Sequence, residues 1–417
     1  MLAGSQVSFV LATRNRCRVT LETLRQVFSC ARPSVDFEVI VVDNASTDGT
    51  PEAIRAGFPQ VVLLAQRRNL GSCAKALGVD QARGEYVVFL DDDSCPRPGA
   101  VDRMIQHFWA DGRLGAAGFR VHLPDGRQEC SAFPDVFIGC GVGFRTAALR
   151  QVGGLDRTLF MQAEEYDLSF RLVNAGWQVR TFDDLHVDHL KTPCARRSGR
   201  TVYCDTRNNL LVVARYLPDR PYPVYRQDWL QRYAWLAGND GRRAAFYGGV
   251  MAGRLGGVQD RRRYRDRRLS PEAFETLFRF RFVERRMKSL AASGVERVTF
   301  ADLGKNAYAF LRAARKCGIS VLSIGDDRFA APGRRYRGLP LEPLAAAMEG
   351  DSDAVVVANT SPVHSDRTRQ RLADLTDRTV HCWFGHESGP EAPEIGSTAP
   401  QRIADKTRAA DVAAVGG

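Results

Sequence analysis

The chain of 417 residues is 44% hydrophobic, enough to bury a core, and its length suits two or three domains. No apolar run approaches the roughly 20 residues that a membrane-spanning helix requires, and no secretory signal is evident, so we expect a cytosolic protein. The formal net charge of +11 points to anionic partners. The ten cysteines show no metal-ligand spacing and are predicted to be reduced thiols that mostly fill the core.

Four short apolar segments alternate with helical patterns in the first 90 residues. They are Val7–Ala12, Phe37–Val42, Val61–Leu64 and Tyr86–Leu90. Continuous apolar runs of this length are typical of strands buried on both faces of a parallel sheet. The β-α alternation therefore predicts an α/β fold with a doubly wound, mostly parallel sheet. No G-x-G-x-x-G sequence follows the first strand, which argues against an ordinary dinucleotide-binding half.

Polar residues follow each of these strands. Because ligands of open α/β sheets bind beyond the carboxyl ends of the strands, we expect the polar residues to converge on one crevice. They are Thr13, Arg14, Asp43, Asn69 and the run Asp91–Asp93. Adjacent carboxylates repel one another, and a hard divalent cation is the usual remedy. The crevice suits a nucleoside and a metal-bound diphosphate. Alternatively, the acidic run is only a solvated turn that ends a strand.

Two later segments add polar candidates. Gly139–Arg145 is rich in glycine, which permits close approach to a ligand or simply a bent strand. Glu164, Asp167 and Arg171 share one predicted helix face, where the acidic residues either do chemistry or only complement the helix dipole. A further strand over 178–182 leads to a pair of histidines, His186 and His189.

In this order the motifs resemble a family 2 glycosyltransferase of the GT-A fold, over about residues 7–217. The matching motifs are Thr13–Asn15, Asp43–Thr50, Asn69–Gly71, Leu90–Asp93, Gly153–Asp156, Glu164–Leu168 and a histidine after the last strand. Tyr203 through Asn208 further resembles the rhamnosyltransferase-like branch. The family usually shows Glu-Asp where this chain has Glu164-Glu165, so the base is open between these two. The Q-x-x-R-W signature of processive synthases is missing, which favours transfer of a single sugar.

The resemblance implies roles for individual residues. Asp93 would hold Mg²⁺ or Mn²⁺ with His189, and His186 competes for that second role. Glu165 would be the general base, with Glu164 as its rival. The nucleotide-sugar site would be formed by Thr13, Arg14, Asn15, Asp43 at the nucleobase, Asn69, Gly71, Asp91 at the nucleoside, and Asp92. Asp167 and Arg207 would lie on the acceptor side.

The implied activity is an inverting transfer of one sugar from a UDP- or dTDP-linked donor to a hydroxyl of a glycan, lipid-linked glycan or metabolite. One carboxylate takes the proton of the acceptor hydroxyl, and one metal ion stabilises the leaving diphosphate. A nucleotidyltransferase that makes such sugars is a second hypothesis, but it would need a glycine-rich loop after the first strand. A third is a non-catalytic scaffold that binds a sugar nucleotide, which would need no base.

After a catalytic domain over residues 1–217, we expect a basic helical extension over 218–290. Between Lys191 and Leu290 the sequence holds 23 Lys and Arg against 9 Asp and Glu. Such a segment suits a phosphorylated substrate or a peripheral contact at the inner membrane face, and it is equally explained by a solvated surface. We expect no nucleic-acid partner.

Residues 291–386 are predicted to form a small Rossmann-like α/β domain. Gly304 is the one glycine of the dinucleotide fingerprint that is present after its first strand, although an acidic pair follows about 20 residues later. A docking or regulatory module is therefore favoured over dinucleotide binding. Residues 387–417 are rich in Gly, Pro and Ala, and we expect them to be disordered.

Overall fold

The computed structural model describes residues 6–29, 33–190 and 198–386. Within these residues the first sheet contains nine strands, ordered β3-β2-β1-β4-β8-β6-β9-β5, with β7 paired to β6. The strands are β1 (Val7–Thr13), β2 (Phe37–Asp43), β3 (Val62–Ala65), β4 (Tyr86–Asp91), β5 (Ser94–Pro96), β6 (Leu114–His122), β7 (Gln128–Glu129), β8 (Gly141–Arg145) and β9 (Gln178–His189). Strands β1 to β4 pair in parallel, and β8 runs antiparallel to both β4 and β6.

Helices cover both faces of this sheet. They are α1 (Cys17–Ser29), α2 (Thr50–Gly57), α3 (Lys75–Gln81), α4 (Ala100–Ala110), α5 (Thr146–Val152) and α6 (Glu164–Asn174). Strand β4 shows the two cores directly, because Val87 and Phe89 belong to one hydrophobic cluster while Tyr86, Val88 and Leu90 belong to the other. The predicted α/β class with a doubly wound, mostly parallel sheet is confirmed, as is the burial of β4 on both faces.

A block of helices follows the first sheet. It comprises α7 (Gly199–Tyr216), α8 (Tyr222–Asn239), α9 (Arg243–Arg263), α10 (Pro271–Phe278) and α11 (Phe280–Ala292). Helix α9 lies tightly on α7 because its inner face carries glycines four residues apart. A Cβ on Gly249 would stand 2.7 Å from the Tyr203 carbonyl oxygen, and one on Gly253 would stand 3.0 Å from that of Arg207. Among the described residues, none of the helices is apolar over a length that would cross a bilayer.

A second sheet closes the described chain, with strand order β12-β13-β11-β10-β14-β15. Its strands are β10 (Arg297–Ala301), β11 (Ser320–Gly325), β12 (Arg335–Tyr336), β13 (Leu339–Glu342), β14 (Ala354–Val357) and β15 (Val380–His381), and its helices are α12 (Ala307–Lys316), α13 (Leu344–Ala347) and α14 (Pro362–Ala373). All pairs are parallel except β12 with β13. Residues 387–417, predicted to be disordered, lie outside the described residues.

The loop that connects β10 to α12 reaches into the helical block. Tyr225 donates its hydroxyl hydrogen to Asn306, which is 0% exposed, and the Asn306 amide donates to the Phe278 carbonyl over 2.8 Å. The Lys305 ammonium lies 4.0 Å from the centre of the Trp229 ring and donates to the Asn209 side chain over 2.6 Å. The second sheet is therefore held against the rest of the chain by buried polar contacts as well as apolar ones.

Candidate active site

The acidic run at the end of β4 is compensated by two basic side chains from other elements. The Arg16 guanidinium donates to Asp92 over 2.7 Å and to Asp93 over 2.8 Å. The buried Lys75 ammonium donates to Asp91 over 2.7 Å and to the Gly139 carbonyl over 2.9 Å. Charge compensation that the sequence argument left to a divalent cation is thus supplied in part by the chain itself.

Burial and these pairs set the protonation of the run. Burial raises the pKa of Asp92 to about 6, although the charge of Arg16 acts in the opposite direction. Burial would also raise the pKa of Asp93, but hydrogen bonds from His189 and Arg16 outweigh it and leave that pKa well below its ordinary value. The site therefore presents Asp93 as a firmly ionised carboxylate.

His189 connects the acidic run to β7. Its Nε2 lies 3.2 Å from Asp93 Oδ1, and its Nδ1 lies 3.0 Å from a carboxylate oxygen of Glu129. Burial alone would lower the pKa of His189, but bonds to Asp93, Cys140 and Glu129 raise it to about 12. By contrast His186 pairs with His122 over 2.9 Å, so His189 is the histidine that stands beside the acidic run.

Asp91, Cys140 and His189 form a group that could hold a metal ion. One potential ligand atom from each lies within 4.8 Å of the others. The Asp93 carboxylate, predicted as the metal ligand, is next to this group but is already bound by Arg16 and His189. Imidazole and thiol are poor ligands for Mg²⁺, so this set fits a transition ion better. Of this group only His189 was predicted as a metal ligand, since Asp91 was assigned to the nucleoside and the cysteines were expected mostly to fill the core.

The end of β2 presents a carboxylate with one spare oxygen. Asp43 is 1% exposed, and its Oδ2 accepts from the Ser46 amide over 3.0 Å. Its buried Oδ1 finds no hydrogen-bond partner among the described residues. Buried polar atoms are normally satisfied, so this oxygen is suited to an N–H of a bound ligand.

The loops after β1 and β2 are tied to each other. The Thr13 hydroxyl donates to Asp92 over 2.8 Å. The Asn15 side chain accepts from the Thr47 backbone amide over 2.8 Å, and the Asn15 backbone amide donates to the Ser46 hydroxyl. Asn15 has a φ of 52°, a left-handed conformation that asparagine tolerates. Arg14 is exposed at the same rim. The predicted nucleotide residues of these loops therefore lie together.

Gly71 lies where only glycine fits. Its φ is 72°, and an added Cβ would stand 2.1 Å from the Phe160 carbonyl oxygen. Asn69 accepts from the Gly71 amide over 2.8 Å, and Asn44 donates to the Gly71 carbonyl over 3.1 Å. The loop after β3 is thus fixed against β2 on one side and against the segment before α6 on the other.

The two candidate bases begin α6 and face different neighbours. Glu164 accepts a short hydrogen bond from Ser72, beside the loop of Gly71. Glu165 lies against Gly139, whose added Cβ would stand 3.3 Å from Glu165 Oε1, and it lines a cavity of about 510 Å³. Burial, and then the charge of Glu164, raises the pKa of Glu165 to about 8. Burial also raises the pKa of Glu164. Only Glu165 of the two lines that cavity.

The segment before α6 is held in an uncommon conformation. Phe160, Gln162 and Ala163 all have positive φ, at 67°, 70° and 65°. Asn208, which is 0% exposed on α7, donates its side-chain amide to the carbonyls of Leu159, Met161 and Gln162 over 2.8 to 2.9 Å. Asn208 therefore positions the start of α6, a role that its place in the Tyr203–Asn208 motif did not reveal.

Asp167, predicted on the acceptor side, does not line the cavity beside Glu165. It is 1% exposed, and its carboxylate accepts from Tyr216, Arg215 and Arg171. Every third and fourth residue of α6 shares a face, and the face of Asp167 packs inward against α7. Arg207 donates to the Thr158 carbonyl over 2.9 Å and does not line the cavity beside Glu165. The cavity is lined instead by Asp205, which the sequence argument did not single out.

Comparison with known families agrees with this site. The family described as Glycosyl transferase family 2 matches residues 8–138, from β1 to the segment before β8. Residues 8–138 form a family 2 glycosyltransferase domain. The predicted family is confirmed for this region, whereas the match does not reach the C-terminal sheet. The match ends before Glu164 and therefore does not cover the two candidate bases or His189.

Two bacterial relatives match the glycosyltransferase domain in part. The succinoglycan biosynthesis protein ExoO of Rhizobium meliloti is 36% identical over 125 residues, covering 29% of this chain and 35% of that protein. The N-acetylglucosaminyl-diphospho-decaprenol L-rhamnosyltransferase of Mycobacterium tuberculosis is 28% identical over 189 residues, covering 33% of this chain and 62% of that protein. The chain thus spans about a third of the first relative and under two thirds of the second.

Solved structures show a weak likeness. The mannosyltransferase PcManGT from Pyrobaculum calidifontis, in complex with GDP-Man and Mn²⁺, aligns with a TM-score of 0.43 at 19% identity, covering 61% of this chain and 77% of that one. TarS 1–349 from S. aureus aligns with a TM-score of 0.44 at 14% identity, covering 80% and 98%.

Proposed function

We propose that the chain is an inverting glycosyltransferase that moves one sugar from a UDP- or dTDP-linked donor to a hydroxyl acceptor. The observation that carries the proposal is the placement of Glu165. Its carboxylate lines a cavity of about 510 Å³, and the neighbouring Glu164 contacts the loop of Gly71 in the nucleotide crevice. A single base beside a leaving-group site is what one direct displacement requires, without a covalent intermediate.

On the nucleotide side, Asp43 would accept an N–H of the base through its spare oxygen. The glycine at position 71 lets the backbone approach the ligand closely, and Thr13, Arg14, Asn15 and Asn69 complete the rim. Asp92 holds Thr13 and Arg16 in place rather than facing the ligand directly.

A divalent cation fits beside this crevice and, when bound, stabilises the charge of the leaving diphosphate. Asp91, His189 and Cys140 would hold it, and the metal would take the place of one of the ring protons that His189 shares with Asp93 and Glu129 and of the proton of the Cys140 thiol. Lys75 keeps Asp91 ionised, since the opposite charge outweighs burial and keeps the pKa of Asp91 below its ordinary value. We favour Mn²⁺ over Mg²⁺ because the group contains nitrogen and sulfur.

The acceptor hydroxyl would approach Glu165 from the cavity and give its proton to that carboxylate. Gly139 leaves room beside the carboxylate, and Asn208 fixes the segment that presents it. A glycan, a lipid-linked glycan and a metabolite remain the acceptor classes, and the mycobacterial relative named for a diphospho-decaprenol acceptor supports the second.

Purified protein incubated with UDP-, dTDP- and GDP-sugars, with and without Mn²⁺, tests the activity. We expect release of a nucleoside diphosphate that requires the metal. Release of pyrophosphate from a nucleoside triphosphate and a sugar phosphate would indicate the nucleotidyltransferase instead. Binding of a sugar nucleotide without any release, across a broad acceptor panel, would favour the scaffold.

We also propose that α9 contacts an anionic membrane surface, which would place a cytoplasmic enzyme at the inner face. The outer face of α9 exposes four large apolar residues, 56 to 69% accessible: Tyr247, Met251, Leu255 and Val258. The exposed charged residues that flank this stripe are arginines, including Arg254 and Arg262. A second copy docked on the same face would bring arginine against arginine, whereas anionic lipid complements both the apolar stripe and the charge.

Sedimentation with vesicles of phosphatidylglycerol and of phosphatidylcholine tests this contact. We expect binding to the anionic vesicles only, and loss of binding in Met251→Glu/Leu255→Glu. Leu375→Glu, at an exposed leucine outside α9, is the matched control. Equal binding of the α9 variant and the control would contradict the contact.

A further inference from the structure

The cavity beside Glu165 lies between the first sheet with its helices and the second sheet. One wall is formed by Glu165, Tyr166 and the segment 130–138. The opposite wall is formed by residues that follow β10, β11 and β14 and by the first turns of α14. These are the carboxyl ends of parallel strands, with β11 and β14 on either side of β10, the position at which open α/β sheets bind ligands.

Short contacts hold the two walls together. Cys130 Sγ lies 2.9 Å from Ser361 Oγ and 3.3 Å from His364 Nδ1. The Thr360 hydroxyl donates to the Ala132 carbonyl over 2.7 Å. Because these contacts lie at the ends of β14 and of the segment 130–138, the width of the cavity is set by the fold.

The acidic residues of the second wall are used inside the protein. Asp326 accepts the backbone amides of Leu303 and Arg328 over 2.7 and 2.8 Å, and Asp302 accepts from Asn359 over 2.8 Å. Asp327 accepts the Leu344 amide and pairs with Arg371. The acidic pair that would hold a ribose in a dinucleotide site is therefore already occupied, which argues further against that reading of the module.

Two arginines of the same wall do not take part in these hydrogen bonds and ion pairs. Arg328 and Arg367 are exposed, and neither guanidinium has a hydrogen-bond or ion-pair partner among the described residues. Burial lowers the pKa of His364, and the positive charges of Arg367, Arg232 and Arg328 lower it further, to about 4. His364 is therefore neutral at physiological pH, and the positive charge of this wall resides on the guanidiniums.

We propose that this cavity is the acceptor site and that Arg328 and Arg367 bind an anionic group, phosphate or carboxylate, of the acceptor. This inference rests on the proposed glycosyltransferase activity, since it places the acceptor hydroxyl at Glu165 on the facing wall. The second sheet then selects the acceptor. Guanidinium groups suit the planar or tetrahedral oxygens of such anions because they donate paired hydrogen bonds.

The test measures binding of three matched probes: glucose 1-phosphate, glucuronic acid and methyl glucoside. The nucleotide site is first filled with Mn²⁺ and the nucleoside diphosphate that binds, so that the probes report on the second cavity. Calorimetry should show the wild type binding at least one anionic probe about tenfold or more tightly than methyl glucoside. The phosphate and carboxylate arms identify which anion the site prefers.

Arg328→Gln/Arg367→Gln should lose that preference, by about tenfold or more in affinity for the anionic probe. Arg281→Gln/Arg285→Gln removes the same charge from α11, outside the cavity, and should keep it. Unchanged anion binding in the cavity variant, or no anion preference in the wild type at millimolar concentrations, overturns the inference. If neither the wild type nor the two variants bind a nucleotide, that result counts against the proposed activity. Binding of the anionic probes can still be measured in the absence of nucleotide.

Discussion

Replacing Glu165 with glutamine should separate activity from stability. The side chain is partly buried beside Glu164, and burial together with the charge of that neighbour raises the pKa of Glu165 from 4.5 to about 8. A glutamine keeps the size and shape of the protonated side chain but cannot take a proton. We therefore expect the variant to fold as well as the wild type below about pH 4.5, to be more stable than it at pH 6, and to gain further on it by pH 9.

The magnitude follows from the pKa shift. Each unit of difference between folded and unfolded pKa corresponds to about 1.4 kcal/mol. Because the folded state retains a proton that the unfolded chain has released, stability falls as the pH rises between 4.5 and about 8, with a ceiling of roughly 5 kcal/mol. Glu164 shares the effect, so we expect Glu165→Gln to recover about 2 kcal/mol at pH 9.

Turnover should change in the opposite direction. Loss of a general base lowers turnover by roughly two to four orders of magnitude, while affinity for the sugar nucleotide should stay nearly unchanged. The assays are nucleoside diphosphate release with a confirmed acceptor and thermal unfolding at pH 6 and pH 9. Glu164→Gln is the matched control, because Glu164 bonds Ser72 and does not line the cavity.

Two results would refute this reasoning. An inactive Glu164 variant beside an active Glu165 variant would swap the two roles. A Glu165 variant whose unfolding midpoint moves in parallel with that of the wild type between pH 6 and pH 9 would show that the carboxylate is not held protonated by the fold.

Four further outcomes are expected. Wild-type turnover should rise with pH up to about 8, as Glu165 loses its proton, and a flat profile would contradict this. Gly71→Ala should weaken nucleotide affinity about tenfold or more in calorimetry, because a Cβ there collides with the Phe160 carbonyl. Asn208→Ala leaves three carbonyls without their donor and should cost about 2 to 4 kcal/mol in denaturant unfolding. Asp43→Ala should weaken nucleotide affinity while changing the free energy of unfolding by no more than about 1 kcal/mol, because one of the two carboxylate oxygens has no hydrogen bond within the protein.

The elements that the sequence predicted best are those with an unbroken local pattern. Tyr86–Leu90 is apolar at every position, so its burial and the emergence of Asp91 at the sheet edge follow from the sequence alone. Strand β9 was predicted to end at residue 182 and continues to His189, because its outer half alternates polar and apolar residues and lacks a continuous apolar run. The short hairpin β12–β13 was missed for the same reason.

Partnerships between distant residues could not be predicted. Arg16 reaches Asp93 across 77 positions, and Lys75 lies one helix before Asp91; neither carries a motif that marks it as a counter-ion. Cys140 becomes a candidate ligand only because β8 pairs antiparallel with β4 and brings it beside Asp91. The cavity beside Glu165 depends on how the second sheet docks, which no local pattern encodes.

The insertion of Lys305 and Asn306 into the helical block bears on how this protein can be altered. A module joined only by a flexible tether can be exchanged or removed as a cassette. Here the loop between β10 and α12 provides buried hydrogen-bond partners for Asn209, Tyr225 and Trp229. If the chain were cut before β10, these three side chains would lose those partners in the remaining fragment. The two sheets should therefore melt in one calorimetric transition, and a successful chimera must carry the loop and its helical receptor together.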